Sequence, residues 1–308
     1  MEGEGMNRLT RIALGAALSV TCAGILASPA AADTAVLGSP LVSNYDGGVS
    51  TSGLSVQLSF DPATSTNPVV SPANGVITDW KVKSADDGAV YTLQVLRPNG
   101  PISTVPATNT NFTGIASVQA PTPVPNGTFG ATPTGVIFDY PASLAISKGD
   151  YVGLRGVGGP GAHGLAQAMA NGRPQSTFAN NFTGQPTDGN SANVLADAQH
   201  ELLLQATIRF CNVPNVVGQT ESAATAAVTA GDCAATVSKQ QLRLKAIKKS
   251  FSKKKKKNIR ASNAALRAQD GKVISQSLAA GTTAAPGTSV DLKVGQVVKP
   301  PKKKRRKK

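Results

Sequence analysis

The most constraining feature of this chain is a pair of segments, VPNVVGQTESAATAAVTAG starting at Val213 and GKVISQSLAAGTTAAPGTSVDLKVG starting at Gly271. In the first segment, Val213 precedes a proline and is expected to be extended, while Gly218 permits a tight turn. Thr220 can cap a helix, and Gly231 is a typical helix stop. Four apolar residues between them share one face of that helix: Ala223, Ala224, Ala227 and Val228. The first segment therefore predicts a strand, a turn and a short helix with an apolar face.

The second segment has the pattern of two further strands separated by a loop. Val273 and Ile274 begin an apolar run, and Gly281, Pro286 and Gly287 mark the loop that follows. Three residues then alternate as in a half-buried strand: Val290, Leu292 and Val294. Together the two segments predict a small α+β domain with one helix packed on a three-stranded sheet.

These two segments resemble the PASTA domain, a module attached to bacterial penicillin-binding proteins and to serine/threonine kinases of the cell envelope. The resemblance lies in Val213, Pro214, Val217, Gly218, Val273, Ser275, Gln276, Ser277, Gly281, Pro286, Gly287, Val290 and Val294. Two departures are Leu278, where the family usually has a proline, and an insert over residues 241–260. The resemblance implies a PASTA domain over residues 211–295 of an exported bacterial protein. It also implies contact with peptidoglycan or its muropeptide fragments. A separate resemblance, of the segments GVITDWKV, LQVLRP and SKGDYVGL to an exported β-sandwich domain of actinobacteria, implies the actinobacterial type.

The first 32 residues have the pattern of a secretory signal peptide. Arg8 and Arg11 precede an apolar run over residues 12–27, and three alanines before Asp33 match the small-residue pattern of a cleavage site. A membrane anchor is the competing interpretation, but it needs about 20 apolar residues, and Ser19 and Thr21 interrupt this shorter run. We therefore expect a secreted protein, extracellular or associated with the cell wall, whose mature chain begins at Asp33.

Once the leader with Cys22 is removed, the chain keeps two cysteines, Cys211 and Cys233. An even count in an exported chain permits a disulfide, and closing a loop of this length contributes about 3 kcal/mol in the chain-entropy model. A metal site is the alternative, but structural zinc takes four ligands, and His163 and His200 lie outside the predicted C-terminal domain. We therefore expect a disulfide, with no metal and no cofactor.

Residues 33–210 read as strand after strand, separated by clusters of Gly, Pro, Asn and Ser. Three segments alternate as half-buried strands do, with the following predicted inward residues: Val76, Thr78, Trp80 and Val82; Tyr91, Leu93 and Val95; Leu202, Leu204, Ala206, Ile208 and Phe210. This series predicts a β-sandwich or jelly-roll-like domain, and thus a mainly β chain. Trp80 is expected to pack in its core rather than to serve as a platform for a sugar.

The motifs that would indicate catalysis are weak. A hydrolase would need a nucleophile beside a base, and His163 or His200 could be such a base, but no G-x-S-x-G motif is present. Gly156, Gly158 and Gly161 match G-x-G-x-x-G, but no helix pattern follows them. We therefore expect a protein that is not an enzyme and has no catalytic residues.

The positive charge is concentrated in two short stretches. Residues 241–260 hold ten Lys or Arg and residues 299–308 hold eight, with no acid in either, whereas the other residues hold 13 basic against 17 acidic. Like charges at this density repel, so we expect a mobile insert and a disordered polybasic tail over residues 296–308. The candidate polyanion-binding residues are Lys253, Lys254, Lys255, Lys256, Lys257, Lys302, Lys303, Lys304, Arg305, Arg306, Lys307 and Lys308.

The sequence thus favours a non-catalytic protein of the cell envelope that binds peptidoglycan and, through its basic segments, anionic wall polymers or an anionic membrane surface. Nucleic acid is not expected as a partner, because an exported bacterial chain does not meet a nucleus and Phe251 is the one aromatic residue for base stacking in the basic segments. A glycan-binding, lectin-like role for residues 33–210 is the first alternative. A cell-wall hydrolase that uses His163 or His200 is the second.

Overall fold

A computed structural model describes residues 33–44, 54–60, 65–84, 89–102, 110–123, 135–157, 169–170, 177–182, 186–198 and 200–300. Strands dominate the chain, as the sequence predicts, with a multi-sheet β region followed by an α+β region. The predicted leader lies outside the described residues and stays a prediction. Among the residues that are described, no helix has both the length and the apolar character to cross a bilayer.

The N-terminal region has twelve strands among its described residues. They are β1 (Thr34–Gly38), β2 (Leu54–Ser59), β3 (Gly75–Ser84), β4 (Val90–Pro98), β5 (Asn111–Gln119), β6 (Val136–Ile146), β7 (Tyr151–Val157), β8 (Met169–Ala170), β9 (Thr177–Phe182), β10 (Ser191–Ala198), β11 (Glu201–Leu202) and β12 (Leu204–Arg209). One sheet has the order β1-β12-β3-β6, a second closes on itself in the order β10-β5-β4-β7-β2-β9, and β8 pairs with β11. The pairing is antiparallel throughout the two large sheets.

The main core lies between these two large sheets. Trp80 of β3 is fully buried and its ring centroid lies 4.7 Å from that of Tyr140 in β6, which confirms its predicted place in the core. Tyr91, Leu93 and Val95 of β4 contribute to the same apolar cluster from the closed sheet. The N-terminal region is therefore a multi-sheet β region, as its predicted class requires, but one of its two large sheets is closed rather than an open layer of a sandwich.

A β-bulge changes the predicted inward face of β3. The register against β12 shifts between Thr207 and Ile208, which pair with Asp79 and Ile77, so Thr78 is one extra residue on β3 that interrupts the strict alternation. Ile77 is fully buried with Trp80, whereas Val76 and Thr78 are partly exposed. The prediction was therefore right for the second half of the strand and wrong for the first, because alternation along one strand cannot reveal a bulge.

The C-terminal region contains two helices and five strands: β13 (Cys211–Asn212), α1 (Glu221–Ala230), β14 (Ala234–Arg243), α2 (Lys253–Ala268), β15 (Val273–Gln276), β16 (Thr283–Ala284) and β17 (Ser289–Val298). The three-stranded sheet has the order β14-β17-β15, with β14 parallel and β15 antiparallel to β17. The predicted α1 is confirmed, since Thr220 caps it, Gly231 ends it, and Ala224 and Val228 are buried. Ala223, which was predicted on the same face, is exposed.

One strand of the C-terminal sheet was not predicted. The chain at Val213 was expected to form it, but only Cys211 and Asn212 are paired there, with the short strand β16. The third sheet strand is instead β14, an edge strand in which Leu242 is the only buried residue. An edge strand with mostly exposed side chains needs no apolar alternation, so the sequence carries no strong signal for it.

The insert and the tail also depart from the prediction. Residues 241–260 were expected to be mobile, but they complete β14, form a loop and begin the 16-residue helix α2. Ser252 caps this helix, and Lys, Ala and Arg have high helix propensity, which compensates for charge repulsion. The predicted tail also begins later than residue 296, because β17 continues to Val298; residues 301–308 lie outside the described residues.

Gly218 has the turn conformation that its position predicted. Its φ of +89° lies in the region that side chains disfavour, and the residue separates the extended start of the domain from α1.

The predicted boundary between residues 210 and 211 stays a prediction. Only Phe210 separates β12 from β13 at this point.

Candidate functional site

A disulfide joins the predicted pair Cys211 and Cys233 at the start of the C-terminal region. Their Cα atoms lie 4.8 Å apart, and both residues are buried in the apolar cluster beneath α1. Beside the bridge, Arg209 donates a 2.5 Å hydrogen bond to Asp232, and this contact raises the pKa of the guanidinium group. The bridge and the ion pair together fix the end of β12 against the turn that follows α1.

One buried polar side chain links helix α2 to the end of β14. Asn263 is the only buried residue of the helix, and it makes two 2.9 Å hydrogen bonds to the backbone of Lys245. The Asn263 amide donates to the carbonyl oxygen of Lys245, and its oxygen accepts from the N–H of Lys245. The helix is therefore held beside the end of β14 with most of its surface exposed.

The structure brings the predicted lysines 253–257 together on the first turns of α2. Lys255 lies with its ammonium group 4.6 Å from the centre of the Phe251 ring, and Lys248 lies 5.8 Å from it. Lys256 donates to the backbone oxygen of Lys249 at 2.8 Å. No acid stands in the first helical turn, so like charges three and four residues apart oppose the helix by roughly 0.2–0.5 kcal/mol per pair. Negative charge from outside the chain would relieve this repulsion.

A groove of about 460 Å³ lies between α2 and the loop that precedes it. Three lysines and three neutral polar side chains line it together with one isoleucine: Lys245, Lys254, Lys255, Ser252, Asn258, Ser262 and Ile259. We call this feature the basic groove. From residue 243 to residue 268 the chain has eleven Lys or Arg and no Asp or Glu, so the surroundings of the basic groove are positively charged as well.

The remaining predicted cations cannot be placed. Lys302, Lys303, Lys304, Arg305, Arg306, Lys307 and Lys308 all lie outside the described residues. Lys299 precedes them and is exposed. Whether the tail joins the lysines of α2 in binding a polyanion thus stays a prediction.

An exposed polar cluster in the N-terminal region was not predicted from the sequence. Asn99 donates to Thr113 at 2.8 Å, the hydroxyl groups of Thr113 and Ser191 are 2.6 Å apart, and Asn111 donates to Asn193 at 2.6 Å. We call these five residues the amide–hydroxyl cluster. They follow β4 or lie on β5 and β10, which are adjacent in the closed sheet but distant in sequence. Only the strand pairing brings them together.

The groups considered for catalysis do not form a site within the described residues. His163, Gly158 and Gly161 lie outside them, and the backbone oxygen of His200 accepts a 3.3 Å hydrogen bond from Gln57. The buried carboxylate of Glu201 accepts hydrogen bonds from the hydroxyl groups of Ser39 and Ser43. No group of three or more His, Cys, Asp or Glu that could hold a metal occurs in this part of the chain.

Comparison with known proteins gives one match. The model of the PASTA domain family matches residues 212–296, whereas neither a curated protein nor a solved structure matches the chain. The matched residues cover α1, the three-stranded sheet and the basic groove described above. PASTA domains are generally associated with the binding of peptidoglycan and β-lactams. The chain therefore carries a PASTA domain at residues 212–296, as the resemblance in its sequence implied.

Proposed function

We propose that this is a non-enzymatic exported protein, secreted or associated with the cell wall, that binds peptidoglycan or muropeptides through its PASTA domain. The family match at residues 212–296 carries the proposal. The disulfide between Cys211 and Cys233 supports a place outside the cytoplasm, since such bonds persist in oxidising compartments.

The basic segments add electrostatic attraction to anionic wall polymers. Each Lys or Arg near an anionic surface contributes about 1 kcal/mol at low salt, and this contribution decreases as salt screens it. The five lysines at residues 253–257 all lie at one end of a helix, which concentrates their positive charge in one part of the domain. Binding should therefore have a salt-resistant part from the PASTA domain and a salt-sensitive part from the lysines.

Sedimentation with purified cell walls separates these two parts. The full chain is compared with a variant that has Gln at all five positions 253–257 and with a control that has Arg there, which keeps the charge. On intact walls at low salt, a smaller fraction of the Gln variant than of the Arg control should sediment, and the fraction that still sediments should resist added salt. On peptidoglycan stripped of its phosphate polymers, all three proteins should sediment alike. If the unchanged chain does not sediment with stripped peptidoglycan, the role of the PASTA domain is wrong.

A second candidate function, the binding of a neutral glycan, rests on the amide–hydroxyl cluster. Sugar hydroxyl groups both donate and accept hydrogen bonds, and so do amide and hydroxyl side chains. A glycan array should show binding that Asn193→Ala weakens and that Gln119→Ala, an exposed amide at the other end of β5, leaves unchanged. Equal binding by both variants would remove this candidate.

The absence of enzymatic activity is part of the proposal and has its own test. Zymography on purified cell walls should show no cleared band for the full chain. A cleared band that His163→Ala or His200→Ala abolishes would make the protein a wall hydrolase instead.

A further inference from the structure

The basic groove has a composition that distinguishes it from the other positive charge of this chain. Lys245, Lys254 and Lys255 supply compact ammonium groups, and Ser252, Asn258 and Ser262 place neutral hydroxyl and amide groups among them. These six side chains come from the loop after β14 and from the first ten residues of α2. The hydrogen bonds between Asn263 and Lys245 hold these two segments side by side.

We propose that the basic groove binds the phosphate groups of an anionic polymer, rather than attracting polyanions only through diffuse charge. This inference rests on the proposed role of the basic segment at the envelope, and it adds where the polymer is bound and which of its groups is recognised.

The chemistry of the lining favours phosphate over carboxylate. A planar carboxylate is best matched by the two-pronged guanidinium group of arginine, and the groove lining contains no arginine. A tetrahedral phosphate presents oxygens in several directions and suits ammonium groups that act as point charges. Hydroxyl and amide groups between the lysines can donate to the remaining phosphate oxygens.

The surroundings favour a polymer over a single ion. Lys253, Lys257 and Arg260 lie on the opposite side of α2, and Lys248 and Lys249 lie in the adjoining loop. A free phosphate in the groove would leave these charges uncompensated, whereas a chain of phosphates can extend to them.

Single-stranded nucleic acid, the other phosphate polymer, fits less well. Its binding usually uses aromatic side chains on which bases stack. The aromatic ring beside the groove is that of Phe251, and the ammonium groups of Lys255 and Lys248 lie 4.6 Å and 5.8 Å from its centre. The ring is thus engaged with cations rather than open to a base.

The test compares two triple variants of the full chain with equal net charge. In the groove variant Lys245, Lys254 and Lys255 are changed to Gln, and in the control Lys148, Lys272 and Lys293, which are exposed elsewhere, are changed to Gln. Binding of inorganic polyphosphate is measured by titration calorimetry over a series of salt concentrations. Because each contacting lysine contributes about fivefold, the groove variant should bind about 100-fold more weakly at low salt, and the control less than about threefold. The slope of log K against log salt for the groove variant should also be smaller in magnitude by about 2 than that for the unchanged chain.

Hydrogen–deuterium exchange of the unchanged chain shows where the polymer lies. Polyphosphate should slow exchange in residues 245–262 and leave residues 273–298 unchanged, while orthophosphate at the same phosphate concentration should have little effect. Equal loss of affinity in the two triple variants would show that only net charge matters and would overturn the proposal. Stronger binding to single-stranded DNA or to anionic lipid vesicles than to polyphosphate would overturn it as well.

Phosphate binding by the basic groove and peptidoglycan binding by the PASTA domain can fail independently. Sedimentation with phosphate-stripped peptidoglycan tests the PASTA domain without any phosphate ligand, and the groove variant should behave there like the unchanged chain. A failure confined to that assay would count against peptidoglycan binding alone.

Discussion

The attachment of α2 to the rest of the PASTA domain should depend on Asn263. The substitution Asn263→Ala removes two hydrogen bonds of 2.9 Å to the backbone of Lys245. A hydrogen bond of this kind contributes about 1 kcal/mol net, and the freed groups of Lys245 can bind water because that residue is exposed. We therefore expect the free energy of local opening of α2 to fall by about 2 kcal/mol.

Native-state amide exchange measures this opening directly. Since 1.4 kcal/mol corresponds to a factor of ten, amides of residues 256–268 should exchange about 30-fold faster in Asn263→Ala than in a control variant with the same gain in helix propensity. The amides of α1 and β17 should keep their rates, because the apolar core beneath α1 includes no residue of α2.

The matched control is Ser262→Ala, the exposed neighbour on the same helix. Both substitutions raise helix propensity by a similar amount, about 0.5 kcal/mol, so the difference between the two variants isolates the hydrogen bonds. If Asn263→Ala exchanges no faster than Ser262→Ala, then α2 is not held through Asn263, and this description of its attachment is wrong.

Three further predictions concern stability. The double substitution of Cys211 and Cys233 by Ala should cost the PASTA domain about 3 kcal/mol, because 22 residues separate the bridged positions; urea unfolding followed by circular dichroism checks this, and a loss below about 1 kcal/mol would contradict it. Burial raises the pKa of Tyr140 and Tyr151, so the folded state holds these protons more tightly; their contribution to stability is complete below about pH 10 and is lost as pH rises through the folded pKa values. Absorbance at alkaline pH should show late ionisation of Tyr140 and Tyr151, and the substitutions Tyr140→Phe and Tyr151→Phe assign the signal to them. Gly218→Ala should destabilise by about 1 kcal/mol through strain alone, since its φ is +89° and no atom lies within 4 Å of the added carbon; an unchanged unfolding midpoint would refute this.

Fluorescence and circular dichroism can report on the two regions separately. Trp80, the single tryptophan, lies in the N-terminal core, and all four tyrosines precede residue 152. Loss of the disulfide should therefore lower the urea concentration at which circular dichroism changes, while the urea concentration at which tryptophan emission changes stays the same.

Features that depend on neighbouring residues were predictable from the sequence. The cap at Thr220, the stop at Gly231 and the buried pair Ala224 and Val228 define α1, and each signal lies within a few residues of the others. The alternation in β4 placed its inward residues correctly for the same reason. Helix α2 also has local signals, a serine cap and strong helix formers. Its mobility was wrongly predicted because these signals outweigh the repulsion between its lysines.

The sequence by itself determined the mainly β fold, the PASTA domain, the paired cysteines and the location of the positive charge, because these follow from residue type and short spacing. Only the tertiary structure decided which strands pair, where β3 bulges and how α2 lies beside Lys245. It alone formed the basic groove and the amide–hydroxyl cluster, whose members are up to 94 residues apart between Asn99 and Asn193. Such contacts depend on how the chain crosses its own sheets, and no local pattern of residue types encodes that path.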